Sequence, residues 1–300
     1  MVYPIHVGIF ALLLLAQAGT GFWLIRRHKK KQNSRPPLDL ALVRQPGESL
    51  RIQAEELLEK MLDQIVIGSL AAMFVLGAVP WAVKKFFPQA DWLSLLVGTF
   101  ASVAAVSVWF LLRVRSFGLK RANVRLGMAG ERDVAGHLQA LTAKGYQVFH
   151  DVPMAHENGL ENIDHLAVGQ HGIVVVETKT RSIPTDRPPG RLEVSFDGTR
   201  LKWPRFEDDQ KTVRQVERCA RWVARRVRET FQLDVPVYQI IAIPGWQVLP
   251  GKSLNPRVIN PGAIALAFET MTDDKPCALK APQIKSISNH FEELCRHTHW

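Results

Sequence analysis

Residues 163–180 read IDHLAVGQHGIVVVETKT. Two short apolar segments rich in β-branched side chains flank Gly169-Gln170-His171-Gly172, and Gly at both corners of a short loop is the mark of a hairpin. Pairing Gly169 with Gly172 sets the register: Val168 opposes Ile173, and Asp164 opposes Glu177. Side chains alternate along a strand, so Glu177 and Lys179 share a face. The register therefore gathers Asp164, Glu177 and Lys179 at one end of the hairpin. Directly opposed carboxylates stand about 5 Å apart at Cβ and destabilise a sheet. A divalent cation removes that penalty, because Mg²⁺ takes oxygen ligands and is commonly held by one or two carboxylates together with substrate phosphates. Lys179 beside them suits an anionic substrate or a developing negative charge. Asp…Glu-x-Lys on such a hairpin is the arrangement expected for metal-assisted phosphodiester cleavage. The same short pattern also fits an edge hairpin with solvated charges, so the flanking sequence has to decide.

Upstream, Gly130-Glu131 opens a helical pattern and Gly145-Tyr146-Gln147-Val148 begins a strand; downstream, a long helical pattern carries Gln215. The order GE…GYxV…DV…IDH…GIVVVETK…Q resembles the NERD (nuclease-related) domain over roughly residues 125–245. That family belongs to the wider group with the restriction-endonuclease-like PD-(D/E)xK fold. The resemblance implies an α/β domain with a mixed sheet flanked by helices. It also implies a nuclease site built from Asp164, Glu177, Lys179, Glu131 and Gln215, with Asp164, Glu177 and Glu131 holding Mg²⁺ or Mn²⁺. Two positions depart from the family pattern: Asn162 stands where Gln usually precedes Ile-Asp-His, and Lys211-Thr212 stands where Asn-Pro often precedes the helix Gln. The segment after Glu-x-Lys, residues 183–190, is unusually rich in proline.

The chain has 300 residues, 47% of them hydrophobic, enough for one globular domain and a second element. A formal charge of +10 points to an anionic partner, either nucleic acid or lipid headgroups. Cys219, Cys277 and Cys295 are widely spaced, without a metal-binding pattern, and fit a reducing, cytoplasmic setting for the globular part.

Three apolar runs, at residues 7–25, 65–83 and 92–112, each approach the length of a bilayer-spanning helix, and Trp23, Trp81, Trp92 and Trp109 sit near their ends. The first run lacks a basic leader segment and a convincing cleavage site, so it reads as a span rather than a signal peptide. Residues 26–64 carry many more Lys and Arg than the loop 84–91. The positive-inside rule then places the N-terminus outside, the 26–64 loop in the cytoplasm, and the C-terminal part in the cytoplasm of a multi-pass protein of the cell (inner) membrane. Residues 48–61 have helical periodicity and read as an interfacial helix or an extension of the second span.

Residues 116–126 read as a basic linker, and 127–300 as the cytoplasmic domain. Within it a helix is expected over 127–143, with Glu131 one turn before Val134 and Ala135 and so toward the sheet. A strand is expected over 146–152 and a polar loop over 153–161. His165 alternates away from Asp164 and reads as a packing residue, while His150 and His171 read as loop or edge residues. A hairpin turning at Asp197-Gly198 follows. A helix then runs to about Phe231, capped by Glu207 or Asp208. It carries an apolar stripe (Val213, Val216, Ala220, Val223, Val227) and beside it a basic stripe of Arg214, Arg218, Arg221 and Arg225. The basic stripe suits backbone phosphates, a solvated face or anionic lipid equally. An apolar strand over 235–243, a further strand pair or strand and turn over 258–268 and an amphipathic helix from 282 complete the domain.

The function expected is metal-dependent hydrolysis of nucleic acid, DNA rather than RNA, by a membrane-anchored enzyme. The alternative is a non-catalytic, membrane-tethered module that binds nucleic acid or protein through the same basic groove. The intact Asp, Glu and Lys argue against it, since a binder needs no opposed carboxylates.

Overall fold

A computed structural model of the chain describes residues 43–156, 159–183, 192–204, 206–249, 251, 255–272, 276 and 278–297. The expected span at 7–25 and the proline-rich loop after residue 183 lie outside the described residues, as do Cys277 and residues 26–42. Two compact units make up the chain: Met1–Leu40 with Ala54–Ala122, and Ala41–Gln53 with Asn123–Trp300.

In the first unit the described chain is helical apart from one short loop. Helix α1 (Glu48–Phe86) and helix α2 (Trp92–Thr142) are each long and apolar enough to cross a membrane. Phe74, Trp81, Leu93, Phe100 and Leu111 are exposed along them, which the core helices of a water-soluble domain would not allow. Where they pack, Gly68 faces Phe110: a Cβ at Gly68 would lie 2.7 Å from the Phe110 ring. Farther along, the Arg121 Nε donates to the Ala54 carbonyl at 3.1 Å, so the two helices run antiparallel. Residues 48–61 thus belong to the same continuous helix as the apolar run 65–83. Residues 116–126, expected as a linker, are helical: Gly118 and Asn123 are accommodated and no proline breaks the pattern between the apolar run and the next apolar stripe.

The second unit is a mixed α/β domain. Strands β1 (Gln147–His156), β2 (Gly159–Gly169), β3 (Gly172–Thr178), β6 (Val237–Ala242) and β8 (Arg257–Ile259) form one sheet in the order β1-β2-β3-β6-β8. The first three are antiparallel neighbours; β6 and β8 add in parallel. A second, smaller sheet has the order β5-β4-β7, from β4 (Glu193–Phe196), β5 (Leu201–Lys202) and β7 (Gln247–Val248).

Strand β3 is central, and Ile173 to Val176 are fully buried. Each such Val contributes about 1.5–2 kcal/mol on burial. Ile173 and Val175 face one core, shared with helix α3 (Lys211–Phe231), helix α5 (Ala281–His297) and the second sheet. Val174 and Val176 face another, shared with Val134, Leu138 and Leu141 of α2 and with helix α4 (Ile264–Thr272). This alternation over a run with no polar residue is what a strand covered on both faces requires.

Three local expectations change. The loop expected over 153–161 is mostly strand: β1 and β2 stay paired as far as His156↔Gly159. Residues 263–268, expected as a second strand or a turn, instead close a short 3₁₀ turn and enter helix α4 (Ile264–Thr272); Asn260 caps that turn through its side chain and Pro261 opens it. The cap of α3 is Asp209 rather than Glu207 or Asp208: its carboxylate accepts from the Thr212 amide at 3.0 Å and the Thr212 hydroxyl at 2.9 Å.

Candidate functional site

The hairpin register is as expected from Gly169↔Gly172 through Val168↔Ile173 to His165↔Val176. There the ladder stops. In place of the next rung, the Thr178 amide donates to Asp164 Oδ2 at 2.6 Å. Asp164 and Glu177 are therefore at the end of the hairpin but are not a backbone pair. Both are buried, at 7% and 5% exposure. On the neighbouring strand the ladder also skips Asp151, which lies between His150↔His165 and Val152↔Ile163 with a left-handed φ of 51°.

Glu131 reaches the same place from α2. It is buried, and its Oε2 has no hydrogen-bond partner among the described residues. The residue before it explains the close approach: a Cβ on Gly130 would collide with the Thr180 side chain and lie 3.5 Å from Pro244. With Thr180 in place, a glycine at 130 lets the helix sit against the chain leaving β3, and so brings Glu131 to the cluster.

Electrostatics bind these groups together. Burial pushes the Glu131 carboxyl above its ordinary range, and Asp164 and Asp151 push it further. Burial and Asp151 raise Asp164, against the Thr178 amide and Lys179, which lower it. Glu177 is raised well above its usual value by burial, then by Asp164 and Glu131, with Lys179 and Arg218 opposing. The Cys219 thiol on α3 is lifted by burial and by the charges of Glu177 and Asp164, so the cluster lies against that helix.

Lys179 continues the chain past β3, its amide bonded to the Ala242 carbonyl at 2.9 Å. Its Nζ lies 3.5 Å from Asp209 Oδ2, where Arg181 also approaches at 3.5 Å. Burial raises the Asp209 carboxyl, but the Thr212 amide, Lys179, the Thr212 hydroxyl and Arg181 outweigh it and leave the group below its usual range. Arg181 stacks over Trp203 and Phe206, at 4.9 and 4.8 Å from the ring centres.

Gln215 is half-buried on α3, and no hydrogen bond joins it to the carboxylates among the described residues. The basic stripe divides. Arg218 is turned inward, bonded to both carboxylate oxygens of Glu161 at 3.0 Å. Arg214 bonds Gln210, and Arg221 lies 4.0 Å from Glu217; both, with Arg225, stay exposed.

Sequence reasoning missed several groups. Asp151 is wholly buried and accepts from Arg44, Ser49 and Asn162. Burial raises its carboxyl, while Ser49, Arg44 and Asn162 lower it. His150 lies on the edge strand β1, as its reading as a loop or edge residue allows; its contact was not foreseen, Nδ1 lying 2.8 Å from Nδ1 of the fully buried His165, whose Nε2 is 3.3 Å from the Thr178 hydroxyl. Burial lowers both imidazoles, that of His150 to about 4. Only the DV dipeptide hinted at Asp151, and nothing in the sequence pointed at Arg44, over a hundred residues away.

Among the described residues, no three His, Cys, Asp or Glu side chains converge closely enough to form a ready-made metal cage. The donor chemistry nevertheless suits a hard cation: mutually repelling, buried carboxylates, one with an oxygen that has no partner.

Residues 126–244 match the family model of the nuclease-related domain, NERD. No curated protein and no solved structure matches the chain.

Proposed function

We propose, from the premise that residues 126–244 form a nuclease-related domain, that this chain is a membrane-anchored, metal-dependent nuclease of the PD-(D/E)xK type. The mixed five-stranded sheet is read as a restriction-endonuclease-like core. What supports the proposal is that Glu131, Asp164 and Glu177, on three different elements, are all buried and feel one another's charge, with Glu131 Oε2 unpartnered among the described residues, although they do not form a ready-made cage. Once ionised, such a cluster costs stability, and a bound cation would offset that cost.

Asp164 and Glu177, with Glu131 beside them, would hold Mg²⁺ or Mn²⁺. A bound ion of this kind supplies Lewis acidity at the phosphate and lowers the pKa of a coordinated water. Lys179 contributes the positive charge that steadies the scissile phosphate oxygens. Gln215 orients water or phosphate at the rim. Arg214, Arg221 and Arg225 offer exposed charges for backbone phosphates. Arg218 has a different part: it is paired with Glu161 and adds a small opposing charge at Glu177.

DNA is the proposed substrate rather than RNA, and the two apolar helices anchor the domain on the cytoplasmic face of the cell membrane, with the N-terminus outside. The test is a cleavage assay on the full chain in detergent or nanodiscs, using plasmid, linear and single-stranded DNA and RNA with Mg²⁺, Mn²⁺ or EDTA. Cleavage that EDTA abolishes and Glu177→Gln removes supports the proposal; metal-independent cleavage, or none with any substrate, overturns it.

A further inference from the structure

The segment Ala41–Gln53 precedes both apolar helices in the chain, yet it packs as part of the same unit as Asn123–Trp300. Its contacts are specific. Arg44 Nη1 lies 2.8 Å from Asp151 Oδ2 and donates to the Asp151 carbonyl at 3.2 Å, with both side chains essentially excluded from solvent, at 5% and 0% exposure. Ser49 donates from its hydroxyl to Asp151 Oδ1 at 2.6 Å and from its amide to Oδ2 at 3.2 Å. Asn162 closes the ring, donating to Asp151 Oδ1 at 2.5 Å and to the Ser49 hydroxyl at 3.3 Å. Between Arg44 and Ser49, Gly47 takes a φ of 73° and lies against Met128, where a Cβ would come within 2.9 Å of Met128 Cγ. The Gly47 amide is directed at Glu131 and counteracts the rise of its pKa.

The arm therefore reaches Asp151 and Glu131, and among the described residues no hydrogen bond joins it to Asp164 or Glu177. Of Glu131, Asp151, Asp164 and Glu177, Asp151 is the one with both oxygens held by side-chain and amide donors among the described residues. It neighbours Asp164, and the two repel. Without Arg44 it would be a buried, unpaired charge beside the residues proposed to hold the ion, free to turn toward them.

We infer that residues 44–49 are a positioning element of the active site: Arg44 and Ser49 commit Asp151 to a structural role and so keep Asp164, Glu177 and Glu131 as the set that holds the ion. This rests on the nuclease reading above. It also makes the functional domain discontinuous in sequence, since Ser49 lies in the first turn of the helix that continues into the first described apolar segment.

The experiment compares the full chain with Arg44→Lys, Arg44→Met, Asp151→Asn and the double variant Arg44→Met/Asp151→Asn. Thermal unfolding and metal-dependent cleavage are both followed, each assay being run well below the melting temperature of the variant. Arg44→Met is expected to lower kcat about 10- to 100-fold, the range for displaced catalytic geometry, with KM for nucleic acid within about threefold. Arg44→Lys keeps the charge and most of the activity. The double variant regains most of kcat, because an Asn carbonyl still accepts from Ser49 but carries no charge. Arg44→Met also melts about 10 °C lower, the scale expected for breaking a buried pair, and the two single losses are non-additive.

A melting loss with unchanged kcat would reduce the arm to a structural brace and overturn the inference. So would a double variant no more active than Arg44→Met. If the wild type itself cleaves nothing, the nuclease reading falls and the positioning role with it, while the melting data still decide whether the arm is docked.

Discussion

The Thr178 amide donates a 2.6 Å hydrogen bond to Asp164 Oδ2, so a carboxylate occupies the place of the next rung in the β2–β3 ladder. Substituting Asp164→Asn keeps an acceptor for that amide and removes a charge that repels Glu177 and Glu131. The fold should survive: a melting temperature equal to or above that of the wild type is expected in the absence of metal. Cleavage should fall by about 100-fold or more, as when a metal-holding or charge-stabilising group is lost. Asp164→Ala strips the acceptor as well, and should cost about 1–3 kcal/mol in denaturant unfolding for the orphaned amide.

Proton linkage gives a second expectation. Glu131, Asp164 and Glu177 all have folded-state pKa values raised above those of the unfolded chain. Their contribution to stability is therefore present below the ordinary carboxylate range of about 4. It is lost as pH rises through the raised folded values. The metal-free protein should become less stable from mildly acid pH upward. Mg²⁺ should reverse the trend, with a stabilisation that grows with pH because ion and protons compete for the same oxygens. Melting temperatures across pH with and without Mg²⁺ check this; a metal shift that is flat with pH would count against these three carboxylates as the site.

The Gly130–Thr180 contact separates geometry from charge. Gly130→Ala should push α2 away from the end of β3, costing about 1–3 kcal/mol by overpacking and moving Glu131 out of the cluster. Adding Thr180→Ser removes the methyl group that collides. The pair Gly130→Ala/Thr180→Ser should recover both stability and Mn²⁺ binding, measured by calorimetry. A double variant as impaired as the single one would show that the glycine serves another purpose.

Asp209 holds the start of α3 through Thr212 and draws in Lys179 and Arg181. Asp209→Ala should destabilise the domain by about 1–2 kcal/mol, as loss of a helix cap does. Lys179 would lose its carboxylate neighbour, so KM for nucleic acid should fall or stay unchanged while kcat drops, because the lysine is no longer held. Denaturant titration and steady-state kinetics on the same variant read the two effects separately.

A soluble fragment beginning at Ser116 lacks Arg44 and Ser49 and leaves Asp151 buried without its cation. It should melt about 10 °C below a fragment in which residues 41–54 are joined to Arg121 by a short linker, by the cost of an unpaired buried charge. The proximity of the Ala54 carbonyl to Arg121 Nε, 3.1 Å, makes the joining feasible. Differential scanning calorimetry of the two fragments decides it.

Much of this architecture was legible in residues 163–180. Turn glycines and a β-branched run carry their own register, because a one-residue slip would turn every side chain to the other face. The same rule could not show that the ladder ends one rung short of Asp164 and Glu177, since a side chain there replaces the backbone partner. Residues 264–268 were misread because a short apolar run fits strand and helix equally, and Asn260-Pro261 starts a helix. Residues 116–126 were misread because basic composition suggested a linker where nothing breaks the helix. Arg44 and Asp151 lay beyond reach for another reason: their pairing spans both apolar helices, and no local pattern encodes a contact across that distance.

The most direct test of the central claim is cleavage by the full chain and by Lys179→Ala at matched concentration, with Mg²⁺ or Mn²⁺ and with EDTA, on a panel of DNA and RNA. The account predicts metal-dependent cleavage by the wild type, abolished by EDTA and by Lys179→Ala, with both proteins melting at similar temperatures. Equal inactivity of the two proteins, alongside salt-sensitive nucleic-acid binding by both, would contradict it and leave a membrane-tethered binding module in its place.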